Sequence, residues 1–198
     1  VSLVTVASCF KGYLEHNPWK IGDWLINYQG GFTRRGFLGE IIYFISNITG
    51  VNPGLYVSVL QSFLYFLFLI TSYLVLVKQK FILPYVLLIF SPFLFTFQIN
   101  DIQGGCRKEI IYFAMLAITT YCALFCRTKH FNRIFIFQLF IYPLVILSHE
   151  LLVVYLPYLL IIYSLRTRSN SNNLFLLAAL TLLSLMSFFV CLYFFVFL

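Results

Sequence analysis

The chain has 198 residues, of which 62% are hydrophobic and 20% aromatic, while only 10% are charged. Its 24 Phe and 14 Tyr outnumber the 13 Lys and Arg and 6 Asp and Glu combined, so a single water-soluble domain would have too little polar surface to cover its interior. That balance excludes a secreted disulfide module, a disordered tail, a coiled coil and a soluble enzyme, and it predicts an all-α, polytopic membrane bundle.

Long unbroken apolar runs argue against a transmembrane β-barrel, whose strands alternate apolar and polar residues. The net charge of +7 reads as basic residues that hold cytoplasmic loops in place, so no nucleic-acid partner is expected. Cys9, Cys106, Cys122, Cys126 and Cys191 form no CxxC, and no His lies at metal-ligand spacing. The sequence therefore predicts neither a disulfide framework nor a zinc site.

In chain order, residues 1–10 are apolar but too few to span a bilayer, and they lack the charged flank of a signal peptide. Residues 11–54 form a first outer segment. Its richest part runs from Asp23 to Glu40 and includes Trp24, Tyr28, Gly30, Gly31, Arg34 and Arg35. Paired glycines permit a tight turn that presents backbone N–H groups, two guanidinium forks add donors, and a helix beginning near Gly36 would point its positive end the same way. The expectation is an anion cradle. Residues 37–48, apolar apart from Glu40, read as an interfacial or re-entrant helix.

Three spans are predicted over 55–126. The first, 55–77, ends at Lys78-Gln79-Lys80; 81–98 turns back beside it; and 110–126 is the third. Between the second and third lies a polar run holding Asp101, Gly104, Gly105, Arg107, Lys108 and Glu109. Residues 134–165 are apolar except for Ser148-His149-Glu150 and carry Pro143 and Pro157, so they form either one tilted crossing or an interrupted hairpin. Residues 174–198 are the last span, giving five or six in all. The missing initiator Met and the apolar C-terminal end predict a fragment of a longer chain.

Counting positive charges favours the hairpin. With two segments, Lys78, Lys80, Arg127, Lys129, Arg133, Arg166 and Arg168 all lie on one face, which the positive-inside rule makes cytoplasmic. Asp23, Glu40, Asp101, Glu109 and Glu150 then share the opposite side with Arg34 and Arg35. Ionisable residues so placed are costly and point to function. Arg34, Arg35, Arg107 and Lys108 are candidate phosphate binders, with Trp24 and Tyr28 offering aromatic faces to sugar rings. Asp23, Glu109, His149 and Glu150 are candidate proton-transfer groups. No metal or cofactor is required if the cations carry the developing charge.

These residues suit a lipid-linked phosphorylated sugar. Gly30-Gly31-Phe32-Thr33-Arg34-Arg35-Gly36, Arg107-Lys108-Glu109 and His149-Glu150, set amid Phe- and Leu-rich spans, resemble the multispanning O-antigen and capsule polymerases of the Wzy type. The resemblance implies a multi-pass protein of the bacterial inner membrane. It also implies transfer of a growing glycan from undecaprenyl pyrophosphate onto a lipid-linked repeat unit at the outer leaflet, beside other polysaccharide-assembly proteins. Such polymerases have more spans and a large outer loop. One rival reading is a glycosyltransferase of the GT-C type with Asp23 or Glu40 as base. Others are a transporter or flippase for an anionic lipid-linked substrate, and a non-catalytic membrane subunit.

Overall fold

The computed structural model describes residues 1–80, 87, 95, 97–101, 105–167 and 174–197, and among them the regular structure is all helical. Most of the 81–98 segment read as a second span, Gly104 of the second polar run, and Arg168 with the loop 170–173 lie outside the described residues. The α-helices are α1 (Ser2–Leu14), α2 (Asp23–Leu25), α3 (Gly36–Thr49), α4 (Pro53–Val77), α5 (Phe97–Asn100), α6 (Ile110–Phe125), α7 (Thr128–Ser148), α8 (Leu156–Arg166) and α9 (Leu174–Phe197). A π-helical turn, Pro18–Gly22, precedes α2, and a 3-10 turn, Glu150–Tyr155, links α7 to α8.

Helix α4 starts two residues before the predicted span. The Asn52 side chain accepts from the Gly54 N–H at 2.8 Å, and Pro53 occupies the first turn, where its missing N–H costs nothing. Its buried residues, Gly54, Val57, Ser58, Gln61 and Tyr65, recur at helical spacing along its first half only. The second half leaves Phe66, Ile70, Tyr73, Leu74 and Val77 exposed. Helix α7 is longer than its predicted arm because Phe131, which is fully buried, already belongs to its packed face. It keeps Pro143 within its last turns, giving up one backbone hydrogen bond.

Two helices, α4 with mean hydropathy 2.0 and α7 with 1.6, are long and apolar enough to cross a membrane. Helices α3 and α6 are apolar but shorter. At about 1.5 Å per residue, the 16 residues of α6 extend roughly 24 Å, less than a hydrocarbon core of about 30 Å.

The 134–165 region doubles back at His149, whose φ of −160° and ψ of 101° end α7. Tyr163 of α8 stacks on Phe135 at 4.5 Å and on Phe131 at 5.9 Å, the Tyr142 hydroxyl donates to the Leu152 carbonyl at 2.6 Å, and Arg166 donates to the Cys126 carbonyl at 3.2 Å. These contacts pair residues steadily further from the tip, as an antiparallel hairpin requires. Lys78, at the end of α4, stands over the Phe125 ring at 4.1 Å. One end of the bundle therefore gathers Lys78, the α6–α7 junction and Arg166.

Two apolar cores hold the molecule. One, with Tyr112, Phe131, Phe135, Leu139, Tyr142, Ile146 and Leu159 at its centre, joins α6, α7, α8 and α9. The other packs Cys9, Ile21, Trp24, Ile42, Val57, Tyr65, Cys106 and Ile110 between α1, α3, α4 and the start of α6. The end opposite Lys78 is where the two cores meet.

Candidate functional site

At that end the three polar segments converge. Gly39 makes the first part possible: a Cβ there would collide with the Ile26 carbonyl, so only glycine lets α3 pass directly over the strand of chain leaving α2. The intervening loop turns at Gly31, whose φ of +116° lies in the region that side chains avoid, and Glu40 fastens it. The Tyr28 N–H donates to Glu40 Oε2 at 2.9 Å and the Gln29 amide to Oε1 at 2.7 Å. The loop thereby delivers Arg34 and Arg35 to the start of α3.

Arg35 lies at the centre. Its Nε donates to Glu150 Oε2 at 3.1 Å and Oε1 at 3.3 Å, and Nη2 donates to Oε1 at 3.1 Å, a forked arrangement specific to guanidinium and carboxylate. Nη1 lies 3.7 Å from Asp23 Oδ1, and Arg34 Nε lies 3.6 Å from Glu150 Oε1. Lys108, which is fully buried, reaches across to donate to the Arg35 carbonyl at 2.9 Å. Next to it, Glu109 Oε1 approaches His149 Nε2 at 3.6 Å, just beyond hydrogen-bond range. Asp23, Arg34, Arg35, Lys108, Glu109, His149 and Glu150 thus form one contiguous network from three distant stretches of chain. With His149 neutral, three cations face three carboxylates.

The surroundings set the protonation states. Hydrogen bonding to Glu150 holds the Arg35 guanidinium above its usual range, against the cost of burial. Glu150, in the turn after α7, is pushed up by burial, but the Arg35 hydrogen bonds outweigh this and leave it below the usual carboxylate range. Burial pushes the Lys108 ammonium down to about 8, with Asp23 opposing and Arg35 adding to the fall. His149, 4% exposed, is driven below its ordinary value by burial despite the neighbouring Glu109, so it is neutral near pH 7. Among the described residues, its Nδ1 and the Glu109 Oε2 are buried without a hydrogen-bond partner. A neutral imidazole with an unoccupied ring nitrogen beside a carboxylate can take up a proton, while the cations can hold an anion.

Other predicted residues stand elsewhere. Trp24 is fully buried and donates from Nε1 to the Cys106 carbonyl at 2.8 Å, so its ring is a core element with no face for a sugar. Tyr28 is partly buried and stacks on Phe32 at 5.2 Å. Arg107 is exposed and takes no part in the ion pairs above, whereas its neighbour Lys108 points inward. The glycine turn at Gly30 and Gly31 is exposed and lies outside the ion-pair network, which is built from side chains. Glu40, the alternative base, has both oxygens committed to the loop.

Sequence reasoning passed over Gly39 and the buried Gln61, whose amide donates to the carbonyls of Lys20 at 2.6 Å and Cys106 at 3.0 Å. An amide side chain, set among only hydroxyl-bearing polar residues in the otherwise apolar 55–77 run, was the available signal for Gln61. Among the described residues, no group of three or more His, Cys, Asp or Glu is placed to hold a metal ion. No protein-family model, curated protein sequence or solved structure matches the chain.

Proposed function

We propose that the protein is a multi-pass inner-membrane glycosyltransferase or polysaccharide polymerase that uses a polyprenyl phosphate- or pyrophosphate-linked sugar at the non-cytoplasmic face. The observation that carries this reading is the convergence of segments 23–35, 108–109 and 149–150 into one network holding both anion-binding and proton-accepting groups. Arg34, Arg35 and Lys108 would take the phosphate, with the anion displacing Glu150 from part of the guanidinium fork. His149, with Glu109 behind it, would accept the proton of the attacking sugar hydroxyl, and the cations would stabilise the departing lipid phosphate. In this reading five or six helices cross the bilayer, and the end with Lys78 and Arg166 faces the cytoplasm.

A second reading is favoured by the charge balance. Arg35 is already neutralised by Glu150, as in a gate that an anionic substrate opens, which suits a transporter or flippase. A gel of surface polysaccharide tests the first reading, using source cells that lack the gene and are complemented with the parent gene or its Arg35→Ala variant. The expected result is collapse of a glycan ladder to single repeat units, restored by the parent and not by the variant. An unchanged ladder in the deletion strain overturns the polymerase reading.

A further inference from the structure

Cys9 in α1 and Cys106 before α6 stand with their sulfurs 3.3 Å apart, 97 residues from each other in the chain. Both are fully buried and both are free thiols. Cys106 has little freedom to drift from this position. Its φ of 65° is unusual for a residue with a side chain, and its carbonyl is clamped by Trp24 Nε1 at 2.8 Å and by the Gln61 amide at 3.0 Å. Cys9 is fixed from the other side, where its carbonyl accepts from the Ser58 hydroxyl at 3.3 Å. Two sulfurs held in contact by independent anchors need to close by little more than 1 Å to reach a covalent S–S distance of about 2.05 Å.

The two thiols are unequal: the hydrogen bond with Cys106 and burial push the Cys9 thiol up, so the first thiolate forms on Cys106. The hydrogen bond with Cys9 lowers the Cys106 thiol below its usual range, with Lys20 and Ser8 adding to this against burial. Lys20 Nζ, 2.8 Å from the Ser8 hydroxyl, sits in the wall of a cavity of about 260 Å³ between α1 and the π-helical turn. Ser8, next to Cys9 in α1, lines that cavity and also acts on Cys106.

We infer that Cys9 and Cys106 are a site of reversible oxidation, closing to a disulfide that ties α1 to the segment bearing Lys108 and Glu109. With a low-molecular-weight disulfide as oxidant, the Cys106 thiolate attacks one of its sulfurs and releases the first small thiol. Cys9 then loses its proton and attacks Cys106 Sγ, expelling the second. Two protein thiols and one small disulfide thus become one protein disulfide and two small thiols. The bond closes a long loop and limits how far the start of α6 can move relative to α1.

The test uses the full chain in lipid nanodiscs, treated with oxidised glutathione, quenched with N-ethylmaleimide, denatured and mapped by mass spectrometry. A peptide linking Cys9 to Cys106 is expected, with Cys122 and Cys191 carrying maleimide and dithiothreitol reversing the linkage. The oxidised form should melt about 5 °C or more above the reduced form. In Cys9→Ser that shift should vanish and Cys106 should retain glutathione as a mixed disulfide. Full maleimide labelling of both cysteines after oxidation would overturn the inference. So would linkage of Cys106 to another cysteine or to a second copy of the chain.

Discussion

Arg35 and Glu150 show how strongly this network depends on complete pairing. Removing the guanidinium leaves a carboxylate, 11% exposed, without its forked partner, and an orphaned charge costs more than the intact pair contributes. Arg35→Ala should therefore lower stability by about 3 kcal/mol, and Arg35→Ala with Glu150→Gln should regain most of that, as read by thermal melting in detergent. Activity should not follow stability. Both variants should lose about 100-fold or more in transfer, because the proposed mechanism uses Arg35 to hold the phosphate. Parallel recovery of activity in the double variant would make the pair purely structural.

Lys108 gives a prediction with two opposite signs. Its folded value of about 8 lies below the ordinary 10.5, so between those values the unfolded chain binds the extra proton. Stability should rise with pH across that window by about 3 kcal/mol in total. Over the same window Lys108 loses the charge that the proposed chemistry needs, so transfer should fall above about pH 8. The acid limb should lie below the ordinary imidazole value, where the neutral His149 becomes protonated. Lys108→Arg, whose charge persists, should abolish both the alkaline loss and the stability rise. An unchanged alkaline limb in that variant would remove Lys108 from the mechanism.

At the scale of elements, the crossing of α3 over the Ile26 carbonyl decides whether Arg34 and Arg35 reach the network at all. Gly39→Ala places a methyl against backbone that cannot swing aside, and it should cost about 3 kcal/mol with loss of transfer. Ile41→Ala, two residues along on the exposed face, should be close to neutral when the two are compared by melting and transfer assays. Much of this level was legible in the sequence. The three polar stretches stood out because ionisable residues are rare in apolar runs, and His149-Glu150 marked the fold-back. The partners were not legible. Arg107 and Lys108 are adjacent and chemically alike, yet the turn before α6 sends one outward and the other into the protein. Trp24 resembled a substrate platform until the Cys106 carbonyl, brought from 82 residues away, claimed its N–H. Likewise, the contact between Cys9 and Cys106 depends on α1 packing against α4, which local pattern does not encode.

Across the whole molecule, charge is sorted by end. Lys78 and Arg166 mark one end, joined in sequence to Arg127, Lys129 and Arg133, while Asp23, Glu109, Glu150 and their cations occupy the other. Between them run helices whose outward faces carry Phe63, Phe66, Phe137, Phe140 and Met186 in the open. Such surface suits lipid rather than water. A bundle of this form, with a neutral ionic network at one end, could serve transfer or passage, and the two differ in what happens to the substrate. The decisive measurement is therefore a product analysis: the parent protein and its Arg35→Ala variant are reconstituted in liposomes with a labelled polyprenyl pyrophosphate-linked oligosaccharide. Lengthened glycan and released polyprenyl pyrophosphate are expected from the parent, and neither from the variant. Substrate that crosses the bilayer with its glycan and lipid phosphate bonds intact would overturn the transfer reading.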